Sequence, residues 1–450
     1  MAFQLDNRRR GFSFFEKVAG VMALLKLKGK YDEYRQAAAD DEEGRVALTA
    51  TPAAEGFHDS GNRIALLDTE IPASTRRTRK KGCCMCCGLD CSLFWKAIGI
   101  VLALSTLWYG FKAIKWALTD APTGLEDFPA FGSSLGCVDA PYVYNNTEVT
   151  VLAPIGTRHH DHSFDVRGHG VGTVTIADGD PDSKEVKYEL SIRSNKDMLD
   201  DVRFVYPEIN DDKIVTNSRF IIETSRIPGV DSRYCMRFDV KLYVPPNLKN
   251  LAVKAHANTH VQFAPGARVN VDELVVTLFT PESINIIVPS PDVTANKVSL
   301  EVYRGWIVGE ASIVDETSIA TQRGDGVANV KVYPAAPADP ENPSKVILRT
   351  TTGAGRSDFT YIGRKTVKRP IDSTHISSRN ADVYLSYRQS EFSGKIEMTS
   401  KSYTMTGAQP LKNNGTTGDD NKPKWTHFAG DRDGGDQLYV NSRGWTGLYF

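Results

Sequence analysis

From Ala97 to Phe111 the chain carries no charged residue, and the helix-compatible run extends to Leu118 if Lys96, Lys112 and Lys115 hold their amines at its margins. Trp95, Trp108, Tyr109 and Trp116 lie toward its two ends, where interfacial aromatic side chains belong. The pattern predicts a membrane-spanning helix over residues 92–118. A buried helix of a soluble domain is the alternative, but lysines at the margins and a basic, cysteine-rich flank do not suit a protein interior. Nearer the start, Phe14, Phe15, Val18, Val21, Met22 and Leu25 form one stripe at about 100° per residue, flanked by Lys17, Lys26 and Lys28. This predicts an amphipathic helix near residues 13–30. It either lies on the inner leaflet, helped by Arg8, Arg9 and Arg10, or packs on itself or a partner. Asp40 to Glu43 and the Ala-, Thr- and Pro-rich stretch up to Ser74 bury too little to fold, so residues 40–80 read as mostly disordered.

Beyond the span the period changes. Residues 119–147 include Pro122, Gly124, Pro129, Gly132 and Gly136, the composition of a stalk. Short alternating runs rich in Val, Ile, Thr, Tyr and Phe then follow. They include Glu148–Leu152, Gly172–Ile176, Glu185–Ile192, Ile214–Ile222, Met236–Val244, Leu251–Ala255, Val271–Leu278, Ile284–Val288, Val298–Tyr303, Val327–Tyr333, Val346–Thr351 and Ala381–Tyr387. The fold class expected for residues 148–450 is therefore all-β, either a β-solenoid of stacked sheets or, for residues 148–245, a sandwich of hairpins.

From about Asn247 the rhythm loosens, with small-residue turns inside strand-like sequence, as in Thr317-Ser318-Ile319-Ala320-Thr321-Gln322-Arg323-Gly324-Asp325-Gly326-Val327. This run, with Tyr243-Val244-Pro245-Pro246-Asn247-Leu248-Lys249-Asn250-Leu251, resembles the adhesin-like domains of membrane-tethered bacterial and fungal proteins. The resemblance covers roughly residues 240–405 and rests on motifs of low specificity. It implies a right-handed β-solenoid at a cell surface and an adhesion role. Inserts at Pro334–Pro343 and Gly363–Thr374 depart from a regular coil length.

Charge divides the chain. The net charge of −1 over 450 residues separates into +2 for residues 1–91, +3 for the span and −6 for residues 119–450. An acidic larger part excludes a nucleic-acid partner, whose phosphates demand a basic face. Arg76, Arg77, Arg79, Lys80 and Lys81 precede the span, whereas Lys112 and Lys115 are followed by Asp120, Glu126 and Asp127. That asymmetry places the N-terminus in the cytoplasm, with the span as signal anchor. The apolar core of the span is short, which suits a thinner early-secretory membrane.

Five of the seven cysteines sit beside the span: Cys83, Cys84, Cys86, Cys87 and Cys91. Juxtamembrane cytosolic cysteines accept palmitoyl chains. A zinc site and unmodified thiols are the alternatives, although the adjacent pairs do not follow zinc-ligand spacing. Cys137 and Cys235 are the two beyond the membrane, and in an oxidising lumen they most simply pair. The sequons Asn145-Asn146-Thr147 and Asn414-Gly415-Thr416 make Asn145 and Asn414 the glycan acceptors, while Pro343 disqualifies Asn342.

Catalytic signatures are sparse. No nucleophile elbow, phosphate loop, dinucleotide fingerprint or metalloprotease motif is present, and no cofactor is expected. No metal site is assigned; the weak candidates are His160 and His162 of Arg158-His159-His160-Asp161-His162, read as an exposed polar loop. Arg323-Gly324-Asp325 spells an integrin-type tripeptide that turn geometry alone also produces. Asp431-Arg432-Asp433-Gly434-Gly435-Asp436 lacks the closing glutamate of a calcium loop. Trp425, Phe428, Tyr439, Trp445, Tyr449 and Phe450 fold back as a cap, with carbohydrate stacking as the rival. The expectation is a non-enzymatic single-pass membrane protein presenting an all-β domain for adhesion or scaffolding, to cell-wall polysaccharide or a surface protein. The alternative is a membrane-anchored luminal carbohydrate-active enzyme on a β-solenoid.

Overall fold

The computed structural model describes residues 18–28, 30–31, 85–86, 89–118, 123–197, 199–224, 234–323, 325–363, 367–411 and 425–450; the disorder expected for residues 40–80 lies outside them. The chain divides into two units, Met1–Ala121 and Pro122–Phe450.

In the first unit Cys91–Leu118 is one α-helix of 28 residues. Its stretch Phe94–Lys115 has mean hydropathy 1.6 and is long and apolar enough to cross a membrane. Leu102, Leu104, Leu107, Trp108, Phe111 and Ile114 are all exposed, so the apolar surface runs round the helix. Such a surface calls for lipid or a protein partner. Residues 18–28 are helical. Their apolar stripe is covered: Val18 is buried with Ala97 and Val101, and Val21, Met22 and Leu25 pack there with Phe94 and Ile98.

The second unit is mostly strand, held by two parallel ladders. In the first, Asp161–Arg167, Asn250–Ala255, Asn270–Leu278, Thr294–Val302, Glu316–Thr321, Val346–Thr352 and Ile371–Ser377 pair in that order. In the second, Val171–Asp178, Asn258–Phe263, Ile286–Val288, Trp306–Ile313, Val327–Pro334, Ser357–Ile362 and Val383–Gln389 do the same. The chain alternates between ladders, so two consecutive strands make a layer. Period-two alternation turns every second side chain inward, and parallel register sets like over like. Phe164, Val253, Val276, Leu300 and Ile319 form one buried column. Val174, Val261, Ile287, Ile307 and Ala328 form another in the second ladder. Each large side chain so buried contributes about 1.5–3 kcal/mol. Thr350 and His375 continue the first column as polar residues and satisfy each other, Oγ1 to Nδ1 at 2.8 Å.

At both ends, order in the stack departs from order in the chain. Arg219–Glu223 and Met236–Val244 lie outside the layer of Asp161–Asp178 although they follow it in sequence. Phe238 and Gly172 face each other there so closely that a Cβ on Gly172 would stand 1.9 Å from the Phe238 carbonyl oxygen. Glu185–Ser194 pairs antiparallel with Met236–Val244, and Val149–Pro154 pairs antiparallel with Glu185–Ser194. Residues 148–245 are thus mixed, with antiparallel hairpins and a parallel layer together. At the far end Asp436–Tyr449 inserts between the layer of 371–389 and Gly394–Thr406.

Two local expectations differ. Ile214–Ile222 is two strands, Val215–Asn217 and Arg219–Glu223. Between them the buried Ser218 donates its hydroxyl to the Pro154 carbonyl at 2.6 Å. Of the stretch expected as a stalk, residues 128–136 run as a strap over the outward side of the second ladder. Phe128 meets Trp306 edge to face at 5.6 Å, and Phe131 lies 5.2 Å from His260. The Gly132 N–H donates to His260 Nδ1 at 2.8 Å, and Arg237 donates to the carbonyls of Gly132 and Gly136 at 2.8 and 3.0 Å. Glycine is required at positions 132 and 136 because φ is +73° and +74°.

Candidate functional site

Around the apolar helix, Cys86 stands in a two-residue strand, Met85–Cys86, paired with Leu89–Asp90, and Cys91 begins the helix. Cys83, Cys84 and Cys87 lie outside the described residues. Past the helix, Cys137 and Cys235 form a disulfide with Cα atoms 5.8 Å apart, closing the strap onto the strand Met236–Val244. Asn145 is exposed in a left-handed turn, φ +51°, with Asn146 at +55°, and so presents its amide to solvent. Asn414 lies outside the described residues.

The histidine cluster does not converge. His160 is exposed with φ +48°, while His162 is buried in the strand Asp161–Arg167, so the polar-loop reading holds for the first and not the second. Both ring nitrogens of His162 are taken, Nδ1 by Ser218 Oγ at 2.6 Å and Nε2 by the Tyr188 hydroxyl. Because the Ser218 hydroxyl donates to Pro154, it accepts from His162 Nδ1–H. Burial drops the His162 pKa to about 3. Such a ring has no lone pair for a metal, and no cluster with metal-ligating composition occurs among the described residues.

The carboxylate of Asp325 is held by Arg304 through bonds of 2.6 and 2.8 Å, which lower its pKa, and Arg323 lies 5.0 Å from the Tyr303 ring centroid. Both charges of the integrin-type tripeptide are therefore engaged within the fold. In the acidic loop, Asp436 is buried and accepts from the amides of Ile371 and Ser393, while Asp433 pairs with Lys395 at 3.4 Å. These carboxylates brace neighbouring layers instead of meeting around one point.

One charge cluster was missed in the sequence. Asp165 is buried and accepts from Arg167 at 2.9 Å and Arg219 at 2.5 Å, with His256 Nε2 at 3.9 Å from its other oxygen. Arg219, 54 residues on, starts a strand, and His256, 91 residues on, follows the end of Asn250–Ala255; parallel register brings both beside Asp165. Arg167, His169, His256, Asn258 and Glu282 line an open cavity of about 800 Å³ above this cluster. The legible signal was the pair Asp165 and Arg167, two apart on one strand face.

The C-terminal aromatics divide between two roles. Phe450 packs on the core, 5.0 Å from Phe392 and 5.8 Å from Tyr387. Trp445 and Tyr449 are half-buried on the outward side: Trp445 lies 4.9 Å from Tyr384, and Arg388 lies over Tyr449 at 5.1 Å.

No protein-family model and no curated protein matches the chain. Among solved structures, the chain is similar to a candidate cell adhesion protein from Clostridium sporogenes, with 10% identity, TM-score 0.23, and coverage of 67% of this chain and 98% of that one. It is also similar to a candidate adhesin from Bacteroides fragilis, with 12% identity, TM-score 0.26, and coverage of 54% and 97%. A candidate adhesin from Parabacteroides distasonis gives 13% identity, TM-score 0.27, and coverage of 54% and 97%. Similarities of this size leave function to be read from the chain's own residues.

Proposed function

We propose that the protein is a single-pass membrane protein, N-terminus cytosolic, that holds a β-solenoid on the far side of the membrane as a platform for adhesion or scaffolding. The observation that carries this reading is the sequence of elements: an exposed apolar helix, then a strap closed by a disulfide onto a β-rich unit. A disulfide persists in an oxidising compartment, which supports a β-rich unit on the opposite side of the membrane from Arg76 to Lys81. Two in-register ladders with shared interior columns support a solenoid, whose stacked layers offer an extended surface to polysaccharide or protein. On the cytosolic side Cys83, Cys84, Cys86, Cys87 and Cys91 take acyl chains beside the basic run, a second membrane signal.

Two expected outcomes test this. Glycosidase digestion of the native protein increases its gel mobility, and Asn145→Gln with Asn414→Gln abolishes the shift. Absence of any shift, together with freely alkylated thiols at Cys137 and Cys235, would place the β-rich unit in the cytosol. Hydroxylamine-dependent acyl exchange labels the native chain and not a variant with all five juxtamembrane cysteines changed to Ser. Equal labelling of the variant would remove the lipidation assignment.

A further inference from the structure

Among the described residues, three of the four strand edges at the ends of the two ladders are closed by antiparallel strands. At the start, Arg203–Val205 closes Arg219–Glu223, and Glu185–Ser194 closes Met236–Val244. At the far end, Gly394–Thr406 is the last strand of both ladders. Its first part is closed: His427–Ala429 pairs with Gly394–Ile396, and Gln409–Pro410 pairs with His427–Ala429, where a proline stops further pairing. Its second part, Ser402–Thr406, lies on Trp445–Tyr449 and has no strand on its other side among the described residues. Native sheets protect such an edge with charges, prolines or a covering segment. Ser402-Tyr403-Thr404-Met405-Thr406 carries no charge and no proline, and all but Met405 are exposed.

The register fixes which groups this edge offers. The Phe450 N–H donates to the Thr406 carbonyl at 2.9 Å, so Thr406, and with it Thr404 and Ser402, turn their backbone groups toward Trp445–Tyr449. Alternation then leaves the N–H and C=O of Tyr403 and Met405 pointing to the open side. Side chains alternate as well. Tyr403 and Met405 stand over Thr446 and Leu448, both fully buried, in line with the interior columns. Tyr403 is nevertheless 47% exposed, with only the His427 ring edge-on at 5.9 Å, because no further described layer covers it. Ser402, Thr404 and Thr406 face outward beside Trp445 and Tyr449.

We propose that this edge pairs with the same edge of a second copy of the chain, antiparallel about a two-fold axis at Thr404. That register sets Tyr403 opposite Met405 and Ser402 opposite Thr406 across the interface, with Thr404 opposite itself. Every free N–H then meets a carbonyl. The Met405 thioether lies against the Tyr403 ring, and hydroxyl side chains face hydroxyl side chains. No charge is buried. Moving the axis to Tyr403 would instead set Lys401 opposite Met405, at the point where the register of the strand slips. A two-fold pair uses up both edges, so assembly stops at a dimer. The inference goes beyond the topology proposed above, since the edge is the same on either side of a membrane, and it names a partner for scaffolding.

The test uses the full chain in permeabilised membranes, its five juxtamembrane cysteines changed to Ser, treated with a thiol oxidant. Thr404→Cys places two thiols on directly opposed residues, whose Cα atoms in a non-hydrogen-bonded antiparallel pair lie about 4.5 Å apart, within disulfide reach. Ser402→Cys or Thr406→Cys alone sets the two thiols about 14 Å apart, four residues along the strand. Thr404→Cys should therefore give about tenfold more disulfide-linked dimer than either. Co-expressing Ser402→Cys chains with Thr406→Cys chains should restore the cross-link. Met405→Pro removes a free edge donor without breaking an internal bond, so it should cut the Thr404→Cys dimer about tenfold while the thermal midpoint holds. Should that midpoint fall, the cysteine positions decide alone. No dimer from Thr404→Cys, equal dimer from Ser402→Cys, cross-linking to a different protein, or an undiminished dimer with a folded Met405→Pro chain would each overturn the assignment.

Discussion

Lowering the pH from 7 to 5 is expected to cost the β-rich unit about 6 kcal/mol, through three histidines that the fold keeps neutral. His162, His260 and His375 are each 2% exposed or less, and burial brings their pKa values down to about 3, about 4 and about 3 from 6.5. In each case the partners are neutral: Ser218 and Tyr188, the Gly132 amide and the Ile284 carbonyl, and Thr350 and Tyr387. Arg237, near His260, further disfavours a charged ring. The unfolded chain takes up these protons near pH 6.5 and the folded one does not until pH 3 to 4. Stability is therefore complete above pH 6.5 and falls as the pH drops through that window. At pH 5 each site loses about 2 kcal/mol, against a total of about 5–15 kcal/mol for a typical domain. Denaturant midpoints of the full chain in micelles, followed by tryptophan fluorescence at pH 7 and 5, measure this. His375→Gln should remove about a third of the dependence, since sites far apart add. A midpoint that stays level between pH 7 and 5 would mean that the three rings are not neutral and buried.

Reducing the disulfide should cost about 4–5 kcal/mol at pH 7. Cys137 and Cys235 are 98 residues apart, and a closed loop of that length removes about 4.7 kcal/mol of chain entropy from the unfolded state. The bond also anchors the strap, whose Phe128 and Phe131 cover Trp306 and His260. Cys137→Ser with Cys235→Ser should lower the denaturant midpoint as reduction does, and reductant should then have no further effect. Equal midpoints with and without reductant would show that the loop is already held by other contacts.

Much of the fold was legible because it follows from period. The apolar run around Ala97–Phe111 and the alternation from Glu148 onward set the long helix and the β class without tertiary information. Asp161–Arg167 escaped because His162 and Asp165, polar residues, point into buried positions where they are paired by Ser218, Tyr188, Arg167 and Arg219. The strap escaped because Pro and Gly mark irregular backbone, and nothing in that composition separates a free stalk from one whose phenylalanines dock. The swapped order at each end, with Asp436–Tyr449 inside Gly394–Thr406, is a tertiary choice that local pattern does not encode. Pro334–Pro343 and Gly363–Thr374 showed in the sequence only as two inserts. Their convergence depends on parallel register, which sets residues 25–30 apart in sequence one above the other.

The side of the membrane on which the β-rich unit stands is the claim on which the functional reading depends. Protease added to sealed membrane vesicles that keep the cytosolic face outward should remove residues 1–91 and leave a protected fragment containing the β-rich unit, still disulfide-bonded. Adding detergent should then give the protease access to the far side of the helix. Protection of the N-terminal segment with digestion of the β-rich unit before detergent would contradict the account.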